Sequence, residues 1–584
     1  MAEIQDDSLQ PVQLLLEELR NEDQQIRLNS IRRIGTIATA LGEEQTRAHL
    51  LPFLKDCCDD EEEVVFALAE ELGNFTSFVG GADFAHSLID ILEFLSSSDE
   101  NPVREKAVSS FVSVGSALPQ ANFSEFFIPS IQRLASSQFP SSKLSFPQLA
   151  VFAYPKANAA EREQLRTSYF ALFDCESNPV RKEASLHFGK FIKVIEDELI
   201  MNDAFPIFVR SCNDPQDNVR INAVESAVAL ASRFSNADTV KHILPIFKSF
   251  ATDKSWRVRY MVANLISKIA QAFGPEILLS EVVATFATLL RDPEPEVRTV
   301  SAKNVTDFCK LLPDDTLVVS DIIPCVKDLA TDSSQQVRSS LASVIMGLAP
   351  ILGRENTLKY LLDIFLILLK DDFPEVRLNI ISKLDDVNKL IGIELLSQSL
   401  LPAIVELALD RQWRVRLAII EYIPLLAKQL GSEFFDDKLS NLCMGWLGDT
   451  VFSIREAATA TVKSIIELFG PEWAGTSIIP KILNLHTHHN YLYRMTTLFA
   501  IITLAPVVGP ANISNTILPV VIKMASDSVP NIRFNVAKTF HALAKYADPA
   551  IIDSRFRPTL NKLLEDNDPD VKYFADQALQ SLTV

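Results

Sequence analysis

A chain of 584 residues with 48% apolar and 22% charged side chains has an ordinary globular composition, which excludes wholesale disorder, and its 17 glycines are too few for collagen-like or Gly-linker architectures. Lys and Arg total 55 against 75 Asp and Glu, a formal net charge of −20. That balance argues against nonspecific binding to nucleic acid or to anionic membranes, since both need a basic footprint.

Taken from the start, the segment MAEIQDDSLQ is acidic and has no apolar run, so no secretory signal is expected. The greasiest stretch, 361–369, is interrupted by Asp363 and bounded by Lys370, too short to span a bilayer. Seven cysteines are an odd number and too few for a disulfide framework. Reduced thiols in a soluble intracellular protein, cytoplasmic and also nuclear, are the expectation.

Length alone predicts roughly three to five domains, but internal self-similarity overrides it. DKSWRVRY (253–260) recurs as DRQWRVRL (410–417), with weaker copies at DPEPEVRT, DSSQQVRS, DDFPEVRL and DNDPDVKY. The final basic residue of the pattern marks a phase. In chain order it falls at Arg27, Phe66, Arg104, Lys143, Arg181, Arg220, Arg259, Arg298, Arg338, Arg377, Arg416, Arg455, Arg494, Arg533 and Lys572, fifteen repeats spaced 38 to 40 residues. The preceding residue is Val or Ile in thirteen repeats, with Ser142 and Tyr493 the exceptions, and the residue six before is Asp in ten. Fifteen residues after the marker stands Gly in eight repeats: Gly42, Gly81, Gly274, Gly353, Gly392, Gly431, Gly470 and Gly509.

Each repeat reads as two helices. In repeat 7, Val240, Ile243, Leu244, Phe247 and Phe250 form one apolar stripe, and Val258, Val262, Leu265, Ile269 and Phe273 the next. Gly274 then Pro275 end the second helix, because Gly tolerates the left-handed conformation there. The Asp six before the marker sits in the turn between the helices, where it can cap the second helix or meet an Arg of a neighbouring repeat. A Pro recurs inside the first helix (Pro52, Pro129, Pro206, Pro245, Pro324, Pro402, Pro480, Pro519, Pro558) and predicts a periodic kink. Repeat 4, around 139–146, is degenerate.

The expected fold is all-α: an α-solenoid, a superhelical horseshoe of about fifteen ~39-residue units close to the HEAT period. The span 1–584 reads as one continuous solenoid, divided functionally into 8–390 (repeats 1–10) and 391–584 (repeats 11–15). Its inter-helix turns line up as a docking ridge. Three residues before the marker that ridge is usually polar or Pro, but Trp256, Trp413, Phe452 and Tyr491 are aromatic, and Arg257 and Arg414 follow the two tryptophans. Trp, Tyr and Arg dominate binding hot spots, so the 413–491 triad on adjacent turns reads as a partner's footprint and Trp256–Arg257 as a second. The competing reading is that these rings fold onto neighbouring turns.

Other clusters read as structural. His486, His488 and His489 occupy a turn with no Cys or carboxylate completing a metal set, Cys57–Cys58 is not CxxC, Asp59–Glu63 is an acidic turn, and His187 lies in a helical stripe. No P-loop, GxGxxG, GxSxG, HExxH or kinase motif is present. Neither enzyme activity nor a cofactor or metal is expected.

Specific segments carry a resemblance: DKSWRVRYMVA (253–263), FPEVRLNIISKLD (373–385), WRVRLAIIEYIPLLAKQLG (413–431), IREAAT (454–459), YRMTTLF (493–499), IRFNVAK (532–538) and DVKYFA (570–575). The sequence closely resembles the HEAT-repeat scaffolding (A-type) subunits of protein phosphatase 2A. The resemblance implies a noncatalytic scaffold. Its repeats 11–15 would hold the phosphatase catalytic subunit, and its N-terminal and middle repeats would hold a variable, B-type regulatory subunit. It implies catalytic-subunit contacts at Trp413, Arg414, Phe452, Tyr491, Arg494, Pro530, Asn531 and Asp570. For the regulatory subunit it implies Glu62, Glu63, Asn178, Pro179, Arg181, Lys182, Ser255, Trp256 and Arg257. Cys175 and His488 stand where Asp is usual, and Phe452 where Tyr is expected. A karyopherin-like carrier of basic cargo is the alternative binding class.

Overall fold

The computed structural model describes residues 17–392 and 400–582, so the start of repeat 1 and most of 391–400 in repeat 11 lie outside the described residues. Among the described residues every regular element is helical. The chain is an all-α solenoid of paired helices, here called A (first) and B (second), which falls into one compact body ending at Pro313 and a second beginning at Asp314. The first body holds repeats 1–8 and the second repeats 9–15.

Repeat 7, in the first body, shows how the sequence builds a unit. Helix A ends in Leu244–Ala251, a turn follows, and helix B begins with Trp256–Asn264. Phe247, Phe250, Val258, Val262, Ile269 and Phe273 are buried, and the Phe247 and Phe273 rings meet edge to face at 5.3 Å. One predicted core residue is not inside: Val240 is 48% exposed. The cause is a π-helical turn at Thr239–Ile243, which inserts an extra residue per turn, so Thr239 takes the inward place and Val240 rotates out.

That π turn is the periodic kink. Eleven of them occur among the described residues, from Thr46–Leu50 to Ile552–Phe556. In most, the next segment carries the recurrent Pro at its second residue: Pro52 follows the turn Thr46–Leu50, whose closing bond runs from the Leu51 N–H to the Thr46 carbonyl. A widened turn gives the Pro ring room beside a carbonyl it cannot serve as donor. Pro is not required, however: Thr357–Leu361 is a π turn followed by Leu362 and Asp363.

All eight glycines of the recurring column have positive φ. Gly274 adopts φ 80°, ψ 170°. This is the mirror-extended region that is nearly restricted to Gly, rather than the left-handed helical cap expected from the sequence. The difference lies in ψ, and it turns the chain directly into the next repeat's helix A. It also splits the apolar stretch Ile266–Leu289, which has the length and hydropathy of a membrane span but is broken at Gly274 and again by the π turn Leu278–Val282.

Candidate docking ridge

The inter-helix turns are held by one repeated ion pair. The marker Arg of one repeat reaches the turn Asp of the next, 33 residues on. Arg220 pairs with both oxygens of Asp253 at 2.9 Å, Arg259 with Asp292 at 2.7 and 2.9 Å, Arg494 with Asp527 at 2.7 and 3.0 Å, and Arg533 with Asp566 at 2.6 and 2.8 Å. Arg27–Asp60, Arg181–Asp214, Arg338–Asp371, Arg377–Asp410 and Arg416–Asp449 repeat it. Each such Arg also donates to a carbonyl of its own turn, as Arg220 Nη1 does to Asp214 O at 2.8 Å. Most of these Asp side chains also accept a backbone N–H two residues on, as Asp253 does from Ser255 at 2.8 Å. Of the two roles considered for the turn Asp, the inter-repeat partner is the one it fills; its second bond goes to the N–H of helix B's N-cap residue, which closes the turn, while the first N–H groups of the helix take no side-chain cap from it.

The electrostatics follow. The hydrogen bond from Arg533 holds the Asp566 carboxyl below the usual carboxylate range, against a smaller upward push from burial. The bond to Asp566 in turn raises the Arg533 guanidinium. The ladder is replaced in repeats 2–4, where Phe66 and Ser137 stand at the Arg and Asp positions. There, Ser110 donates to Ala69 O at 2.6 Å and Ser145 to Ser96 O at 2.6 Å.

On this frame the ridge residues take distinct places. In the first body, Glu62 and Glu63 are exposed in the first turn of Glu62–Leu72. Asn178 is half-buried, Pro179 and Lys182 are exposed, and all three lie in Asn178–Ile192. Trp256 is 37% exposed, stands edge-on to Tyr260 at 6.3 Å, and carries Arg257 over its ring at 5.7 Å. Ser255 donates to Asp217 of repeat 6 at 2.8 Å.

In the second body, Arg414 is exposed and lies over the half-buried Trp413 ring at 4.7 Å. Phe452 and Tyr491 are 56% and 44% exposed. Pro530 and Asp570 are exposed, and half-buried Asn531 accepts from Asn535 at 2.7 Å through its carbonyl. Arg181 and Arg494 are ladder residues, so their guanidinium groups are engaged with Asp214 and Asp527 inside the chain.

The structure adds features that turn spacing did not reveal. His488 fills the Asp place of repeat 13: its Nδ1 accepts the Asn490 N–H at 3.1 Å, and its ring stacks on Tyr493 at 3.9 Å. Tyr493 in turn packs against Gly448 of repeat 12, where an added Cβ would overlap its ring. A groove of about 260 Å³ opens beside Phe452, lined also by Arg455, Leu492, Met495 and Phe499. The helical stripe 492, 495, 499 could have signalled it. His187 is buried and within 3.1 Å of Glu183, and His486 Nδ1 lies 2.6 Å from Leu483 O.

Comparison with known proteins places this frame. Three family descriptions match: PPP2R1A-like HEAT repeat over residues 275–353, PIK3R4-like middle domain over 171–274, and HEAT repeat over 517–547. The beta isoform of the human serine/threonine-protein phosphatase 2A 65 kDa regulatory A-type subunit is 48% identical over 373 residues, 63% of this chain and 62% of that protein. The A-type regulatory subunit of protein phosphatase PP2A from Schizosaccharomyces pombe is 46% identical over 281 residues, 48% of each chain. The Dictyostelium discoideum protein phosphatase 2A scaffold subunit is 52% identical over 287 residues, 49% of each. The matched span thus reaches at most 62% of the length of these relatives. Among solved structures, Kap95p bound to RanGDP gives a TM-score of 0.51 at 13% identity over 98% of this chain and 80% of that one, a likeness of fold alone.

Proposed function

From the premise that the chain belongs to the HEAT-repeat family of phosphatase 2A 65 kDa regulatory A-type subunits, we propose that it is a noncatalytic scaffold of a serine/threonine phosphatase complex. The identity to those relatives carries this reading. The catalytic subunit docks on the turns of repeats 11–15, through Trp413, Arg414, Phe452 and Tyr491, with Pro530, Asn531 and Asp570 at the far end. A variable regulatory subunit docks on turns of the first body, around Glu62, Glu63, Asn178, Pro179, Lys182, Ser255, Trp256 and Arg257. Arg494 and Arg181 act there by fixing the turns that present these side chains.

Exposed aromatic rings beside guanidinium groups support the surface, because such residues lose much water-exposed area on binding and retain directional contacts. The mechanism is co-localisation: two partners on one frame meet at high effective concentration, which steers substrate to the active site. Seven free thiols support placing the assembly in a reducing compartment, cytoplasm or nucleus.

The test is calorimetry with a phosphatase 2A catalytic subunit. Trp413→Ala with Arg414→Ala is expected to weaken binding by about 2–4 kcal/mol, as hot-spot truncations do, with the helical content unchanged. Unaltered affinity would remove these turns from the interface.

A further inference from the structure

The joint between repeats 12 and 13 departs from the ladder in a way that frees a cation. Arg455 is the marker of repeat 12, and its Nη1 donates to Asp449 O at 2.7 Å and to Thr450 O at 3.2 Å, as every ladder Arg does within its own turn. The residue 33 positions on is His488, not Asp. His488 keeps half of the Asp role: its Nδ1 accepts the N–H two residues on, the place that Asp527 Oδ1 takes for Val529 at 2.9 Å. A neutral imidazole whose Nδ1 accepts carries its proton on Nε2, which is a donor, so it has no acceptor left to offer a guanidinium. Among the described residues no carboxylate pairs with Arg455.

This uncompensated guanidinium sits on the wall of a groove that also exposes large apolar side chains. Arg455 lies 5.6 Å from the centre of the Phe452 ring. Phe452 faces Phe499 at 6.3 Å, and Leu492 is exposed at the rim. The volume of about 260 Å³ suits one bulky side chain. A half-desolvated cation beside an apolar cavity is complementary to a carboxylate next to a hydrophobe.

We propose that this groove is a specificity pocket of the scaffold. A large apolar side chain of the bound catalytic subunit seats between Phe452, Leu492, Met495 and Phe499, and an adjacent Asp or Glu of that partner pairs with Arg455. The proposal rests on the reading that repeats 11–15 hold the catalytic subunit. His488 is the residue that leaves the pocket its cation, because it withholds from Arg455 the internal carboxylate that nine other marker arginines have.

The test restores that carboxylate. His488→Asp in the full-length chain creates the pair found at nine other joints, so it is expected to raise the thermal midpoint while neutralising the charge that the partner needs. Binding of purified phosphatase 2A catalytic subunit is measured for His488→Asp, Arg455→Gln, Leu492→Ser and the Trp413→Ala, Arg414→Ala double variant, each at two salt concentrations. The expected result is a loss of roughly tenfold or more in affinity for His488→Asp and Arg455→Gln, a flatter salt dependence for both, and a loss for Leu492→Ser. If the double variant binds weakly but the other three bind as the parent does, the pocket is overturned and the scaffold reading stands. If none of the four loses affinity, the docking surface itself is wrong and the pocket falls with it.

Discussion

Replacing Asp253 by alanine removes two things at once. The first is a two-pronged ion pair to Arg220, both contacts at 2.9 Å, between side chains only 12% and 7% exposed. Breaking a well-buried pair costs about 3–5 kcal/mol, mostly because the surviving charge is stranded. Here Arg220 retains the carbonyls of Asp214 and Pro215, which places the loss near the lower bound. The second is the turn hydrogen bond from the Ser255 N–H at 2.8 Å, worth about 1 kcal/mol. The sum is about 3–4 kcal/mol. Asp253→Asn retains an acceptor for Ser255 and one neutral bond to Arg220, so about half that loss is expected.

The effect should be local, because a stacked array is stabilised by nearest-neighbour terms. Native-state amide exchange is the assay: protection in Asp217–Ala231 and Trp256–Asn264 should fall on the order of a hundredfold or more for the alanine variant. Protection in repeats 12–15 should be unchanged. A loss below about 1 kcal/mol at the joint, or equal losses for Ala and Asn, would refute the reasoning.

The ladder also predicts the acid limit of stability. A carboxyl held below its usual range, as Asp566 is by Arg533, contributes stability above the unfolded carboxylate value of about 3.9 and loses it as pH falls through the folded value. The thermal midpoint is therefore expected to hold between about pH 7 and 5 as far as the ladder is concerned and to drop below about pH 4, which calorimetric scans over that range measure. Gly448→Ala should destabilise by about 1–3 kcal/mol through overlap with Tyr493, and Tyr493→Ala in the same chain should recover part of it in urea titrations. Gly274→Ala should cost about 1–3 kcal/mol from its φ of 80° and ψ of 170°, whereas Gly445→Ala, in a helix with nothing near the new methyl, should be neutral or stabilising.

Much of the fold was legible because the repeat is written many times over. The eight in-phase glycines all adopt positive φ, and the stripes of repeat 7 bury every predicted residue but Val240. Val240 shows the limit. Helical periodicity assumes 3.6 residues per turn, and a π turn breaks that count without a residue type of its own, since Thr357–Leu361 forms one with no Pro behind it. The ladder was half legible: Asp was recognised as a cap or a partner, and its partner follows from subtracting six from the 39-residue period. What spacing could not convey was occupancy. Arg181, Arg257, Arg414 and Arg494 look alike as letters, yet two are consumed by Asp214 and Asp527 and two stand exposed over tryptophan rings. The groove at Phe452 was missed because its walls, Leu492, Met495 and Phe499, lie on helix B beyond the turn positions being compared.

The fixed offset between each arginine and the aspartate it grasps makes the array modular in quanta. Deleting or duplicating a full period returns an equivalent partner to the same place, so a joint re-forms across the splice. Gaining or losing a few residues inside a helix strands one arginine and one aspartate together. Length variation in such a chain is thus channelled toward whole periods, and a descendant lineage can gain or lose one without redesigning the repeats on either side of the splice.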